Sequence, residues 1–595
     1  MTIAPGAKVA HTRSMALARP PAALVYERHL PIAVAAVAGA AVASATGPAT
    51  LATGSRVTLD FGEELVGTVR FTVETRGNSR LEVIEGEDLE EALLLQDPFP
   101  SDHWYHQPRD HFDLGPGRHE TGTPGRRAFR FVTFCSHGPA GLTLSAVEAV
   151  QEHAPLERTG SFACSDQLLN DAWDISSRTL QLCLQGFYED GVKRDGMLWI
   201  GDYRVEFLCA WPVFADKALA RRSLEMLAFG QRKDGSIPAV ALHAGGHLYP
   251  RIPYLGDLTQ PGGLHEWTLD NYCADFAHSV WEYYLHTGDE ATARELLPAV
   301  EKVVGYLAGI DPVLAVPGRN FITDNQPESK DWWGSRAALG YQLATACGDA
   351  ARLFESLGEG AKARASRAAQ ADHLARTTVR FGDPARAAIR DETTTEATRS
   401  WHAHAAAFLA GALDAAQLQA VWRELEADPT VRRPMAGFME FYLLQAWLGA
   451  GLMHAALAEM RSYYGQMLRN GATTTWELVD RREPGIDHIH SAGRSHCHGW
   501  SAGPAHLLPA YILGITPGAP GYAQILLKPN LGDLDFAHGA VPTPHGLVEM
   551  NLEATGHGCV TVPVGVTAKL CLPQQTPVIL TGGRHNFRFK PTAIP

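Results

Sequence analysis

The sequence has no excess of basic residues. Lys and Arg number 51 against 65 Asp and Glu, a formal net charge of -14. A nucleic-acid binder shows the opposite balance, so that class falls behind. No Cys-x-x-Cys pair occurs among the nine cysteines, which removes a zinc ribbon or a disulfide framework as the organising device. No uncharged apolar run reaches the roughly 18 residues of a spanning helix, and no membrane partner is expected. A Gly-x-Ser-x-Gly elbow, a phosphate-binding loop and a dinucleotide fingerprint are all missing from any strand–turn–helix setting. Serine hydrolase, kinase and nicotinamide-dependent chemistry are weakened accordingly.

What is present is a long, apolar-rich chain. At roughly 100–200 residues per domain, 595 residues amount to about three to five domains or one large domain with satellites. Apolar residues make up 45% and charged residues 19%, enough for a large core. The segment Ile32 to Ala45 resembles a signal-peptide core, but it begins after a long Pro-containing stretch. It is read as a buried strand or extended segment, and the expected location is cytoplasmic.

The texture changes twice along the chain. From about Val57 to Val150, runs such as VTLDF, TVRFTVET and FRFVTFC alternate and are rich in β-branched and aromatic residues. From about Ser165 to Ala510 the pattern is helical. Short joints at Gly288-Asp289 and Gly348-Asp349 supply a residue that ends one helix and a residue that caps the next, and Leu413-Asp414 supplies another cap. They imply consecutive antiparallel pairs, about ten to twelve helices in all. An irregular period favours a closed double ring over an open repeat array. From about Ile515 alternating strands return. The expected architecture is multidomain α+β. An (α/α)6 barrel over 161–515 is flanked by antiparallel β-sandwiches at 1–160 and 516–595.

In such a ring the chemistry belongs to long, polar, aromatic-rich loops. Four stand out. Asp190 to Asp202 carries Arg194, Asp195 and Trp199 and runs on to Glu206; a structural Arg–Asp network explains it equally well. His243 to Asp270 holds His265, Glu266 and Trp267, suited to sugar faces and hydroxyls, or to packing against a neighbouring domain. Glu328 to Trp333 pairs Asp331 with Trp332 and Trp333, a sugar platform or a core anchor. The fourth is Thr473 to Glu477 with Trp476, followed by His488, His490, His496, His498 and Trp500. The histidine spacing matches no zinc pattern, so histidines that bond a ligand or fill a polar loop rank ahead of a metal, metal catalysis stands third among mechanisms, and no cofactor is expected.

Taken together, these loops resemble the α-L-rhamnosidases of glycoside hydrolase family 78 and their six-hairpin relatives, from Leu59 to about Glu549. The family's acid-loop motif, Asp-x-x-x-Arg-Asp-Glu-Arg-x-Gly-Trp-x-Gly-Asp, stands here as DGVKRDGMLWIGD, matching Asp190, Arg194, Asp195, Trp199 and Asp202. The base motif Thr-Thr-x-Trp-Glu matches Thr473 to Glu477. CHGWSAGP matches the later His498 and Trp500. One departure matters: the family's acid glutamate is replaced by Gly196, and the loop is one residue shorter.

The resemblance implies an inverting hydrolase acting on a rhamnose-containing oligosaccharide or glycoside. Glu477 is the expected base. The candidate acids are, in order, Asp195, Glu206 and Asp202, and the two carboxyls should stand about 6.5–9.5 Å apart. Asp190, Arg194, Trp199, Trp267, Asp331, Trp332, Trp476, His498 and Trp500 would hold the sugar. Two other classes stay open. A carbohydrate-binding protein that has lost its acid is consistent with Gly196. A phosphorolytic or lyase-type barrel enzyme would use Arg481, Arg482 and Arg494 near Glu477.

Overall fold

The computed structural model describes residues 23–97, 107–193, 196–241, 267–312, 335–383, 388–392, 397–431, 433–479 and 494–590. Three packed units follow one another. The N-terminal unit is built around the 20-residue strand Arg56–Thr75, which pairs antiparallel with Arg127–Ser136 and Leu142–His153 in a ten-stranded sheet system. Its alternating residues, among them Leu59, Phe71, Phe129 and Phe134, close a core of their own. The register shifts between Asp60 and Leu65. That bulge turns Glu63 and Glu64 toward the helices: the Glu64 N–H donates to Thr473 Oγ1 at 2.9 Å.

The segment after Ile32 is a strand, Ala33–Ala38, but not a buried one. It lies along the first half of Arg56–Thr75, leaving Ile32 69% and Val37 49% exposed.

The helical unit runs through α1 Gln167–Cys183, α2 Ile200–Phe214, α3 Ala218–Phe229, α4 Asp270–Thr287, α5 Glu290–Ala308 and α6 Arg336–Ser356. It continues through α7 Gly360–Phe381, α8 Trp401–Leu409, α9 Ala415–Ala427, α10 Gly437–Gly449, α11 Met453–Arg469 and the short α12 Pro504–Leu507. The even-numbered helices form the inner ring: α2 packs on α4, α4 on α6, α6 on α8, α8 on α10, and α12 returns to α2. Their sequences show why. Every residue of α2 is buried, and α10 carries apolar residues all round, with Glu440 buried among them. The outer helices α5 and α9 carry apolar stripes and start at the expected Asp caps, Asp289 and Asp414, whereas Gly348-Asp349 is no joint: both residues are buried inside α6, where tertiary packing overrides the local helix-ending signal.

The C-terminal unit has a five-stranded and a four-stranded sheet, and it shares one continuous hydrophobic core with the barrel. Ser161–Cys164, expected to open the helical unit, is instead a strand of the five-stranded sheet, paired with Phe536–Thr543. Four residues of alternating pattern do not encode a partner that lies almost 400 positions downstream.

Candidate active site

The N-terminal ends of the inner helices define one rim of the barrel, and three chain segments lie side by side across it. The middle segment is 495–499. On one side it pairs with the base motif: the Glu477 N–H donates to the Ser495 carbonyl and the His498 N–H to the Thr475 carbonyl, both at 2.9 Å. On the other side it pairs with the acid loop: the Gly499 N–H donates to the Asp190 carbonyl at 2.8 Å and the Val192 N–H to the Cys497 carbonyl at 3.3 Å. Thr179 of α1 anchors the base motif from below, its Oγ1 accepting from the Thr475 N–H at 2.7 Å. The local threonines therefore serve the backbone.

Glu477 is almost fully buried, with both carboxylate oxygens engaged. Arg494 Nη1 donates to Oε1 at 2.8 Å and the Ser495 N–H to Oε2 at 3.1 Å. Trp500 Nε1 donates to the Glu477 carbonyl at 3.0 Å. Two aromatic stacks cover the middle segment. Trp476 lies on His496 with ring centroids 4.5 Å apart, and Trp500 lies on His498 at 4.2 Å. The histidine-rich stretch, where described, is thus a stacked wall beside the base. His488, His490, Arg481 and Arg482 lie outside the described residues.

Opposite stands the acid loop. The Asp190 N–H and the Met197 carbonyl pair at 3.0 Å, and Asp190 Oδ1 accepts from the Met197 N–H at 2.9 Å, so the loop is pinched shut at its base. Asp202, in the first turn of α2, accepts from the Tyr272 hydroxyl at 3.4 Å and lies 3.9 Å from His498 Nδ1. Asp190, Asp202 and His498 offer ligand atoms all within 4.8 Å of one another, an arrangement that suits a polyol or a cation. A second such group, Glu82, Cys135 and His137, lies on the N-terminal sandwich, away from the rim. Trp199 packs near Tyr272 and Trp267, each 6.3 Å away, and Trp267 is 47% exposed at the mouth.

Glu206 lies one helical turn below Asp202 and is sealed. Neither carboxyl oxygen has a hydrogen-bond partner among the described residues. Burial, with Asp202, Glu189 and Cys497 nearby, holds its carboxyl well above the usual range. Gly196 is at φ +59°, in the left-handed region. The shorter loop turns there, and a glycine meets that turn without strain.

The structure thus brings together Glu477, Trp476, His498, Trp500, Asp190, Asp202, Trp199 and Trp267, and sets Glu206 beneath them. Asp195, Arg194, Asp331 and Trp332 lie outside the described residues, as does all of 243–266. Tyr272 and Ser495 were not among the sequence-derived site residues. Tyr272 lacked a local signal, because an aromatic two residues into a helix reads as core.

Comparison with known families decides the classification. Residues 157–512 match the bacterial alpha-L-rhamnosidase 6 hairpin glycosidase domain, and residues 514–586 match the bacterial alpha-L-rhamnosidase C-terminal domain. The chain belongs to the bacterial α-L-rhamnosidase six-hairpin family. It is similar to a rhamnosidase from Klebsiella oxytoca with rhamnose bound, at 25% identity and TM-score 0.70, over 84% of this chain and 98% of that one. A glycoside hydrolase family 78 rhamnosidase of Bacillus sp. GL1 shares the fold at TM-score 0.73 and 24% identity, over 89% of this chain and 54% of that one. An alpha-L-rhamnosidase of Formosa agariphila is 24% identical over 42% of this chain. Another, from Alteromonas sp. (strain LOR), is 30% identical over 21% of it. The matched segments span only 26% and 14% of those curated relatives. No helix among the described residues is long and apolar enough to cross a membrane.

Proposed function

We propose that the chain is an inverting α-L-rhamnosidase that releases terminal L-rhamnose from oligosaccharides or glycosides. The observation that carries this is Glu477: a buried carboxylate, oriented by Arg494 and the Ser495 N–H, across one barrel rim from a pinched loop of carboxylates. An oriented carboxylate on one face of a sugar activates water, while a carboxylic acid on the other protonates the leaving oxygen. Asp190, Asp202 and His498 accept from sugar hydroxyls, and Trp199 and Trp267 stack on the ring. Similarity to the rhamnose-bound Klebsiella oxytoca enzyme supports rhamnose as the sugar.

The proton donor is assigned to Asp195. Its two rivals are occupied otherwise: Glu206 is sealed under Gly499, and Asp202 is engaged by Tyr272 and faces His498. Gly196 does not argue for a dead site, since the left-handed turn itself calls for glycine.

The test is to follow the product of an aryl α-L-rhamnoside by NMR, with wild type and Glu477→Gln. The expected result is initial release of β-configured L-rhamnose by wild type and a loss of about 10²–10⁴ in kcat in the variant. An active, folded Glu477→Gln protein overturns the base assignment. Retention of configuration overturns the mechanism.

A further inference from the structure

The N-terminal sandwich has its own core and meets the barrel through a small apolar cluster, Val66 and Ala128 against Leu182, Cys183, Val192 and Cys497, and through polar contacts, one of which reaches the active-site rim. Between Gly86 and the short helix Leu89–Leu93 the chain carries Glu87, whose side chain is fully buried. Glu87 Oε2 accepts from the His496 N–H at 2.6 Å, and Oε1 accepts from the Ser495 hydroxyl at 3.2 Å. Those residues belong to the middle segment, and the Ser495 N–H in turn donates to Glu477. Glu87 Oε2 also lies 2.9 Å from Lys193 Nζ, on the acid loop three residues after Asp190. Glu91 closes the cluster. It accepts from Lys193 at 3.2 Å and, through its other oxygen, from the Glu87 N–H at 2.9 Å. Burial, with Lys193 opposing it, pushes the Glu91 carboxyl up to about 8. Such a cluster is expensive to desolvate and is weak support for stability alone.

We propose that Glu87 is a positioning residue for hydrolysis: from the N-terminal sandwich it ties the segment that orients Glu477 to the loop that carries the acid. The proposal rests on the reading of Glu477 and the acid loop as the two sides of the reaction. It explains why one carboxylate touches both. The separation of base and acid decides whether a water fits between them, and these two groups are brought in by different parts of the chain. Glu87 sets that separation through Lys193 on one side and through Ser495 and His496 on the other. It touches no substrate itself.

The experiment uses the full chain with Glu87→Gln, which keeps the volume but exchanges an acceptor for a donor facing the His496 N–H, the Ser495 hydroxyl or Lys193. Glu63→Gln is the control. Glu63 also bridges sandwich and barrel, 3.3 Å from Arg178, but among the described residues its side chain contacts neither 190–193 nor 495–499. Amide hydrogen exchange is read in peptides covering 188–193 and 495–499, and kcat, KM and the pH profile are read on the aryl rhamnoside. Glu87→Gln should speed exchange roughly tenfold or more in both peptides. It should also lower kcat about 10- to 100-fold with little change in KM and shift the pH profile. Glu63→Gln should leave all of these unchanged. If Glu87→Gln does not fold, Lys193→Met takes its place, with faster exchange expected in the acid-loop peptide and the same fall in kcat. Unchanged exchange in a folded variant overturns the proposal whether or not the wild type is active, which separates it from the proposed activity. Faster exchange with unaltered kcat and pH profile reduces Glu87 to a structural contact and overturns it as well.

Discussion

The Glu206 carboxyl occupies the space in which any side chain at position 499 would stand: a Cβ on Gly499 would lie 1.8 Å from Glu206 Oε1 and 2.4 Å from its carboxyl carbon. Gly499 also donates its N–H to the Asp190 carbonyl, so the same close approach that buries Glu206 joins the middle segment to the acid loop.

Gly499→Ala should therefore disturb both. Overpacking of this kind costs about 1–3 kcal/mol, and displacing the acid loop by about 1 Å costs about a hundredfold in rate. The check is denaturant unfolding beside kcat. Glu206→Gln gives the contrast. It adds a buried amide donor without an acceptor, at about 1–3 kcal/mol, and should leave kcat near wild type. Loss of kcat without loss of stability would move the proton donor from Asp195 to Glu206.

Restoring the family's glutamate at position 196 should not help. At φ +59° a side chain is strained by about 1–2 kcal/mol, and its Cβ would stand 3.4 Å from Glu189 Oε2, beside a carboxyl already paired with Arg126. Gly196→Glu is expected to melt lower than wild type and to turn over the aryl rhamnoside no faster. A faster enzyme would show that the loop can revert to the family geometry.

Trp267 stands half-exposed at the mouth beside Trp199. Trp267→Ala should raise KM roughly 3- to 10-fold, the worth of one aromatic contact. With the core untouched, kcat and the melting temperature should hold. Steady-state kinetics and calorimetry with L-rhamnose decide it, and a KM equal to wild type removes Trp267 from the sugar site.

Buried histidines contribute to the acid side of the stability curve, His286 and His506 among them. Burial, with His506 nearby, holds His286 down to about 3, and burial holds His506 down to about 4. Unfolded imidazoles titrate near 6.5, so between there and about 4 the unfolded chain binds more protons and stability falls as pH falls. His286→Gln removes one such site while keeping a partner for the Tyr522 hydroxyl, 3.1 Å from Nδ1. Its unfolding free energy should depend less steeply on pH between about 6 and about 4, by about 1.4 kcal/mol per pH unit. Urea titrations at both pH values measure the slope, and equal slopes in variant and wild type would refute the assignment.

Much of this site was legible locally. Thr473 to Glu477, Asp190, Trp199, Asp202, His498 and Trp500 lie in short stretches whose residue types announce polar chemistry beside aromatics, and the rim brings them together. The caps at Asp289 and Asp414 were legible for the same reason, since capping is a contact between neighbours in sequence. The surroundings of Glu206 were not legible. Helical spacing places it on the face of Asp202, but only packing reveals that Gly499 seals it. Ile32 to Ala45 was equally ambiguous, because apolar composition does not distinguish a covered strand from one left half-exposed at a sheet's margin.

By itself the sequence determined the β–α–β order, the paired helices, the motif residues and, through them, the family. These follow from local periodicity and from contiguous side chains. Tertiary structure alone decided that Ser161–Cys164 joins the C-terminal sheet, that Arg494 and Ser495 orient Glu477, and that Glu87 reaches His496 across 409 positions. Such contacts are set by where the chain returns in space. No local pattern encodes them, because a carboxylate that pairs across the molecule has the same chemistry as one that faces water.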